Sequence, residues 1–375
     1  KQRLLVIIMD YSACRAPAAL SEFGARNIFM GKPSPVGLGS GITQKYLQCS
    51  YGKLNITAFK AITVTANCSS NEPGPSFSTC PVLRFIKDGS SGAKDILGED
   101  AFLSDFSHYV YVLPPGVNEF CRGDWAAVPG RQIVLRTLLG SLERWSATLE
   151  LTLHNFGLWH SWQGGHEFED GSSPSGRKDV CPNAPELAYL GWTSPVKGGG
   201  QVDANTLPVG TVRSFNLPAT YLTSDGHFVR VVPDWLPTYS NRTGAKNLYI
   251  AVRVNKGGDA LLAAPYANAV NVHEVNATMD NDASRYPYTD RKISFINSAA
   301  PRSQVVLTDY KLVLYGGSWV STDVLRVHFC RYRDSPRECP SLDSLEAALP
   351  PPPRKNPLPS PKQSKAADAR RPPPP

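Results

Sequence analysis

Glu150, His154 and His160 are the residues of this 375-residue chain best placed to do chemistry together, because their spacing is that of a metal-binding helix and turn. The segment reads Glu150-Leu-Thr-Leu-His154-Asn-Phe-Gly157-Leu-Trp-His160. In the pattern H-E-x-x-H-x-x-G-x-x-H, two His one helical turn apart bind Zn²⁺ and the Glu between them takes a proton from metal-bound water. The Gly ends the helix and lets the chain double back, so that the last His becomes the third ligand. His154, Gly157 and His160 keep the second half of this pattern. In the first half, Glu150 stands where the first His belongs and Leu151 where the general base belongs. A carboxylate is an acceptable zinc ligand, so Glu150, His154 and His160 form a candidate zinc set. Leucine accepts no proton, so no catalytic residue is intact at position 151.

The elements that must position these residues follow from the apolar pattern. Val134, Leu138, Leu142, Trp145, Leu149 and Leu153 recur at intervals of three and four, which predicts a helix running into His154 with Glu150 and His154 on one face. Gly140 falls inside that stripe and costs about 1 kcal/mol relative to Ala. Leu4 to Met9 reads as a first buried strand, and Tyr109 to Leu113 as another, stopped by Pro114-Pro-Gly116. After the run Lys197-Gly-Gly-Gly200, short β-rich segments at 228–232, 248–254, 270–275, 305–314 and 324–330 are separated by Gly, Pro, Asn and Asp. That spacing predicts a β-sandwich. From Pro350 onward the proline runs cannot build a core and predict an extended, disordered tail.

Beyond the motif, several stretches resemble the gametolysin family, metzincin-type zinc proteases of green-algal extracellular matrix. They are Leu153 to His160, Cys181-Pro-Asn-Ala-Pro-Glu-Leu-Ala-Tyr-Leu-Gly-Trp192, Leu5 to Cys14, Gln48-Cys-Ser-Tyr-Gly52, Leu217 to Thr220, Phe228 to Val231 and Ala264 to Glu274. The resemblance spans residues 4 to 330. It implies an α+β fold: a metzincin-like α/β protease domain over 1–197, a β-sandwich-like domain over 198–345, and a basic proline-rich tail over 346–375. Family members carry His, or in some cases Gln, where this chain has Glu150, whereas loss of the Glu base has no such precedent. The tight turn that carries a Met beneath the zinc in metzincins corresponds to Asp170-Gly-Ser-Ser-Pro-Ser-Gly176, with Ser175 at the Met position. The family's second Cys after Cys121 is missing, and residues 130–148 do not resemble the family.

Composition favours a secreted protein. Eight Cys, at 14, 49, 68, 80, 121, 181, 330 and 339, occur without C-x-x-C pairs, which points to disulfides whose connectivity the spacing does not give. Sequons at Asn55, Asn67, Asn241 and Asn276 support glycosylation on the secretory route. The opening apolar run is too short for a signal-peptide core, and the chain begins with Lys, so a precursor segment is expected to precede it. No apolar run reaches the length of a membrane span. Of the net charge of +7, +5 belongs to the stretch from Pro350 onward, where six Lys/Arg face one Asp. With no aromatics in that tail and no basic stripe in the body, nucleic acid is not an expected partner. Arg122-Gly-Asp124 matches an adhesion tripeptide at chance level, and His166 with Glu167 and Glu169, just after the motif, offers another metal ligand but reads more readily as a solvated Gly-rich loop. His108, His227, His273 and His328 lie in or beside strands, with no serine-hydrolase or phosphate-loop context.

The expected function is that of a metalloprotease-family glycoprotein of the extracellular matrix or cell wall, with lost or strongly reduced peptidase activity because of Leu151. Matrix or wall glycoproteins are the expected partners. The alternative is an active zinc endopeptidase of those glycoproteins, in which another base substitutes or residues 130–152 come from a misread gene.

Overall fold

A computed structural model describes residues 1–34, 37–38, 41–67, 80–117, 121, 123–137, 142, 144–240 and 244–347. In chain order its first part contains β1 (Gln2–Asp10), α1 (Glu22–Met30), a small hairpin of β2 (Pro33–Ser34) and β3 (Gly37–Leu38), α2 (Ile42–Cys49) and β4 (Ile56–Thr65). There follow α3 (Val82–Leu97), α4 (Glu99–Ser104), β5 (His108–Leu113), β6 (Trp125–Ala126), β7 (Gln132–Arg136) and α5 (Trp145–Asn155). Five of these strands form one sheet in the order β4-β1-β5-β7-β6, parallel except for β6 at its edge.

The near-continuous apolar run of β1 marks a strand covered on both faces. Leu4, Val6 and Ile8 pack with Phe29, Tyr46, Leu149 and Leu153 from α1, α2 and α5. Leu5, Ile7 and Met9 point the other way, into a second core with Phe85 of α3 and Phe102 of α4.

The rest of the chain is mostly antiparallel. Its elements are β8 (Trp162–Gln163), β9 (His166–Glu167), α6 (Ala184–Tyr189), β10 (Val212–Pro218), β11 (Val229–Val231), β12 (Lys246–Arg253), β13 (Ala269–Asn276) and α7 (Ala277–Asn281). They continue with β14 (Ser294–Ala299), β15 (Ser303–Leu307), β16 (Leu312–Ser321), β17 (Val324–Arg331) and α8 (Leu342–Ala347). One sheet runs β10-β17-β16-β15 and another β11-β12-β13-β14-β8-β9. Leu217, Leu312, Val327 and Phe329 of the first share a core with Ile250, Val252, Val270 and Val272 of the second.

Several links tie the segment after the motif to these later sheets. β8 pairs in parallel with β14, so strands from both sides of Lys197 share a sheet. The guanidinium of Arg253, 1% exposed, donates to Asp259 at 2.8 and 2.5 Å and to the carbonyls of Ser172 and Cys181 at 3.0 and 3.1 Å. Disulfides join Cys49 to Cys181, Cys80 to Cys121 and Cys330 to Cys339, and Cys14 is also disulfide-bonded. Gly258 lies against the first of these bridges, where a Cβ would meet Cys181 Sγ at 2.2 Å.

Two sequence expectations need correction. The stripe from Val134 to Leu153 is not one helix: Gln132–Arg136 is strand β7 and the helix starts at Trp145. The apolar triplet Ile133-Val-Leu135 in β7 is buried between two layers, which suits a strand, and Leu138 and Gly140 lie outside the described residues. Residues 305–314 are likewise two strands, β15 and β16, turned at Thr308–Tyr310. The stretch expected to be the tail starts within α8, which runs to Ala347 and whose Glu346 accepts a hydrogen bond from His328 Nε2 at 3.0 Å. From residue 348 the tail lies outside the described residues.

Arg253→Met leaves Asp259 buried without its partner and is expected to destabilise the protein by about 3–5 kcal/mol in urea unfolding. Adding Asp259→Leu to that variant is expected to recover much of the loss.

Candidate metal centre

Helix α5 is buried on nearly every side, which explains why its sequence, Trp-Ser-Ala-Thr-Leu-Glu-Leu-Thr-Leu-His-Asn, carries few charges. Tyr46 of α2 holds it from one side through Thr152 Oγ1 at 2.7 Å and the Thr148 carbonyl at 3.1 Å. At its C-terminal end Asn155 Nδ2 donates to the carbonyls of Ala127 and Gln132 at 2.9 and 3.2 Å, fixing the helix to the β6–β7 turn. The helix ends at Gly157, whose φ of +89° and whose contact with Pro287 leave no room for a side chain. A Cβ there would meet the Pro287 carbonyl at 2.3 Å. The chain therefore turns back and brings His160 to His154, with ring centroids 4.8 Å apart.

One ligand atom each from Glu150, His154 and His160 lies within 4.8 Å of the others, the one such cluster among the described residues. Each imidazole is oriented through its far nitrogen. His154 Nδ1 donates to the Leu158 carbonyl at 2.7 Å, and His160 Nδ1 donates to Glu167 Oε1 at 2.7 Å. This leaves Nε2 of both rings as a lone-pair donor, the tautomer a metal requires. Burial holds His154 down at about 4 against that carbonyl bond, and burial likewise lowers His160 against the pull of Glu167. Both rings are therefore neutral at pH 7.

The Glu150 carboxylate makes no hydrogen bond to another described residue. Burial pushes its pKa up to about 7, against the attraction of Arg177 and Arg144. A desolvated carboxylate beside two neutral imidazoles is a donor set that fits a divalent cation such as zinc. Leu151, 6% exposed, packs into the core of α5 while also lining the cleft in front of the cluster. That cleft, about 580 Å³, contains Asp124, Arg136, Arg144 and Arg177 along its walls. Asp124 is committed to Arg136, accepting from its backbone N at 3.0 Å and facing its Nε at 3.4 Å.

Ser175 is buried in a 3-10 turn, Pro174–Gly176, which packs against α5, and its carbonyl accepts from Ser161 N at 3.1 Å. The preceding Asp170 is fully buried. Against the cost of that burial, His273, Ser161 and Ser172 hold its carboxyl well below the usual carboxylate range. Ser161 and Ser172 donate to it at 2.6 Å each, and Asn183 at 3.0 Å, so this Asp, His and Ser group is a sealed structural network. Another such group, Ser214, His328 and Glu346, lies under α8 and was invisible in the linear sequence. His227 and His108 are bonded to Tyr51 and Ser107 and stand apart from the metal cluster. Asn67 is exposed and Asn55 half-buried; Asn276 caps α7 through Thr278 N and Met279 N, and Asn241 lies outside the described residues.

The sequence profile of the gametolysin peptidase M11 family matches residues 3–309. The chain belongs to this family. It is also similar to the autolysin of Chlamydomonas reinhardtii, 24% identical over 198 residues, in a match covering 44% of this chain and 30% of the autolysin. The match thus spans less than a third of that relative's length. No solved structure is a significant match. Membership places the motif segment within a metal-dependent peptidase family, and among the described residues the His/Glu cluster is the group of ligand atoms that could hold a metal ion.

Glu167 is the residue whose role the sequence did not reveal. It was grouped with His166 and Glu169 in a polar loop, yet it orients His160, while His166 is exposed. A carboxylate seven residues after the last His was the available signal. For the turn itself, Gly157→Ala is expected to lower stability by more than about 1 kcal/mol in thermal or urea unfolding, through the positive φ and the Pro287 contact together.

Proposed function

We propose that this chain is a secreted gametolysin-family glycoprotein of the extracellular matrix or cell wall that binds zinc through Glu150, His154 and His160 and has lost or strongly reduced peptidase activity. The reading assigns residues 1–197 to the protease-like unit, 198–345 to a β-rich unit and 346–375 to a proline-rich arm. Wall or matrix glycoproteins are its partners.

The observation that carries the loss of activity is the burial of Leu151 at the cleft wall, with no free carboxylate among the described residues to replace it. Of the described carboxylates that line the cleft, Asp124 is held by Arg136 and Glu150 points into the metal cluster. Glu167, nearby, is held by His160. Glu150 cannot serve as ligand and base at once, and general acid–base catalysis contributes about 10²–10⁴-fold. Zinc, when bound, supplies Lewis-acid polarisation of a carbonyl, and the anionic Glu150 in place of a neutral imidazole weakens that effect. His154 and His160 bind through nitrogens already oriented by Leu158 and Glu167. The matrix reading is supported by family membership, the disulfides and the exposed sequon at Asn67.

Purified protein is expected to hold about one zinc per chain and to show no chelator-sensitive cleavage of gelatin or wall glycoprotein. Glu150→His together with Leu151→Glu is expected to raise chelator-sensitive cleavage by at least about 10²-fold. Chelator-sensitive cleavage by the unaltered protein would contradict the reading. In a separate titration, Glu167→Gln is expected to weaken zinc affinity by about 10–100-fold while the melting curve of the metal-free protein is unchanged.

A further inference from the structure

We propose that Arg177 makes this cleft select an extended peptide segment carrying a carboxylate side chain. This rests on the proposed protease-derived site at Glu150, His154 and His160, and it adds the chemistry of a ligand for the cleft in front of it.

Three arginines line the groove, and their commitments differ. Arg136 is used by Asp124 and by the Cys121 carbonyl, to which Nη1 donates at 3.0 Å. Arg144 donates to the Arg177 carbonyl at 3.0 Å and lies 3.6 Å from Asp179. The Arg177 guanidinium makes no hydrogen bond and no ion pair with any other described residue. Its place is set by stacking: it lies 3.7 Å above the Phe168 ring, and Phe168 in turn stacks on His160 at 3.7 Å. Both Phe168 and Arg177 hold positive φ, 67° and 63°, so the backbone on either side of this stack is set in a conformation that ordinary side chains seldom adopt. Arg177 is exposed at the groove, while the segment before it, Asp170 to Gly176, is buried.

A planar guanidinium fixed on an aromatic face keeps its N–H fork in one orientation, and the matching ligand group is a carboxylate that accepts two parallel bonds. Glu150 attracts this guanidinium across the groove but makes no hydrogen bond or ion pair with it, and one Glu150 oxygen lies within 4.8 Å of a nitrogen of each imidazole. The groove therefore offers, beside the metal cluster, a guanidinium whose N–H fork has no hydrogen-bonded carboxylate among the described residues. The occupant is a peptide because Trp125 and Ala126 of β6 form part of the same wall, and β6 is the last strand of its sheet, paired among the described residues only with β7. An open strand edge supplies backbone N–H and C=O groups to an extended chain, whereas an acidic glycan has no backbone to pair with them.

The test uses the full chain, its zinc content measured in each sample, and two fluorescein-labelled peptides that differ only by a central Glu or Gln. Fluorescence anisotropy is expected to show the Glu peptide binding roughly tenfold more tightly, with the gap shrinking in about 0.5 M salt. In Arg177→Gln the two peptides are expected to bind equally, at the affinity of the Gln peptide for the unaltered protein. Equal binding of the two peptides to the unaltered protein would overturn the proposal, as would a preference that survives in Arg177→Gln. A sulfated oligosaccharide that displaces the Glu peptide from the unaltered protein but not from Arg177→Gln would overturn the peptide assignment. Zinc content separates the two readings: zinc with no Glu preference defeats this proposal alone, and Glu preference without zinc defeats the metal reading alone.

Discussion

A half-buried carboxylate without a hydrogen-bond partner among the described residues is pushed to take up a proton or meet a cation, and Glu150 is such a carboxylate. The rest of the site is arranged around that constraint. Two imidazoles face it, each kept neutral by burial and each with its far nitrogen occupied, by the Leu158 carbonyl and by Glu167. Neutral rings with free Nε2 lone pairs cannot neutralise Glu150 themselves, but together with it they offer a divalent cation three donors. The loss of the first imidazole and the loss of the general base therefore have different consequences. On the proposed reading Glu150 keeps a metal site, while Leu151, buried in the apolar core against α5, takes the place of the proton acceptor.

The fold supports this arrangement through contacts far apart in sequence. α5 is gripped by Tyr46 of α2 and by the β6–β7 turn, and the chain after Gly157 is pressed against Pro287, more than a hundred residues later. β8 then joins β14, and Arg253 reaches back to the carbonyls of Ser172 and Cys181. The segment carrying Phe168, Ser175 and Arg177 is thus built into the later sheets. The Asp170, Ser161, Ser172 and Asn183 network lies beside the turn that carries Ser175, so a small polar residue there has buried polar neighbours.

Local spacing made the metal set legible: i to i+4 on a helix and a glycine turn suffice to bring Glu150, His154 and His160 together. β1, β5, β11, β12, β13 and β17 were legible too, because strands covered on both faces read as apolar runs. The helix before His154 was misread because Val134 and Leu149 share a residue type while their layers differ: one sits in a sheet, the other on it. Glu167, Phe168 and Arg177 were not legible as site residues. Their roles come from a loop folded by positive-φ residues and pinned by β8–β14 pairing, and neither leaves a periodic trace in the sequence.

The central claim is that Glu150 and two singly oriented imidazoles hold one metal ion. Zinc K-edge absorption on the zinc-loaded full chain tests it directly, since imidazole rings and carboxylate oxygens scatter differently. The account predicts one zinc per chain with two imidazoles and oxygen donors at about 2.0–2.2 Å, and one oxygen fewer in Glu150→Ala. A spectrum with no imidazole scattering, or one unchanged by Glu150→Ala, would contradict it.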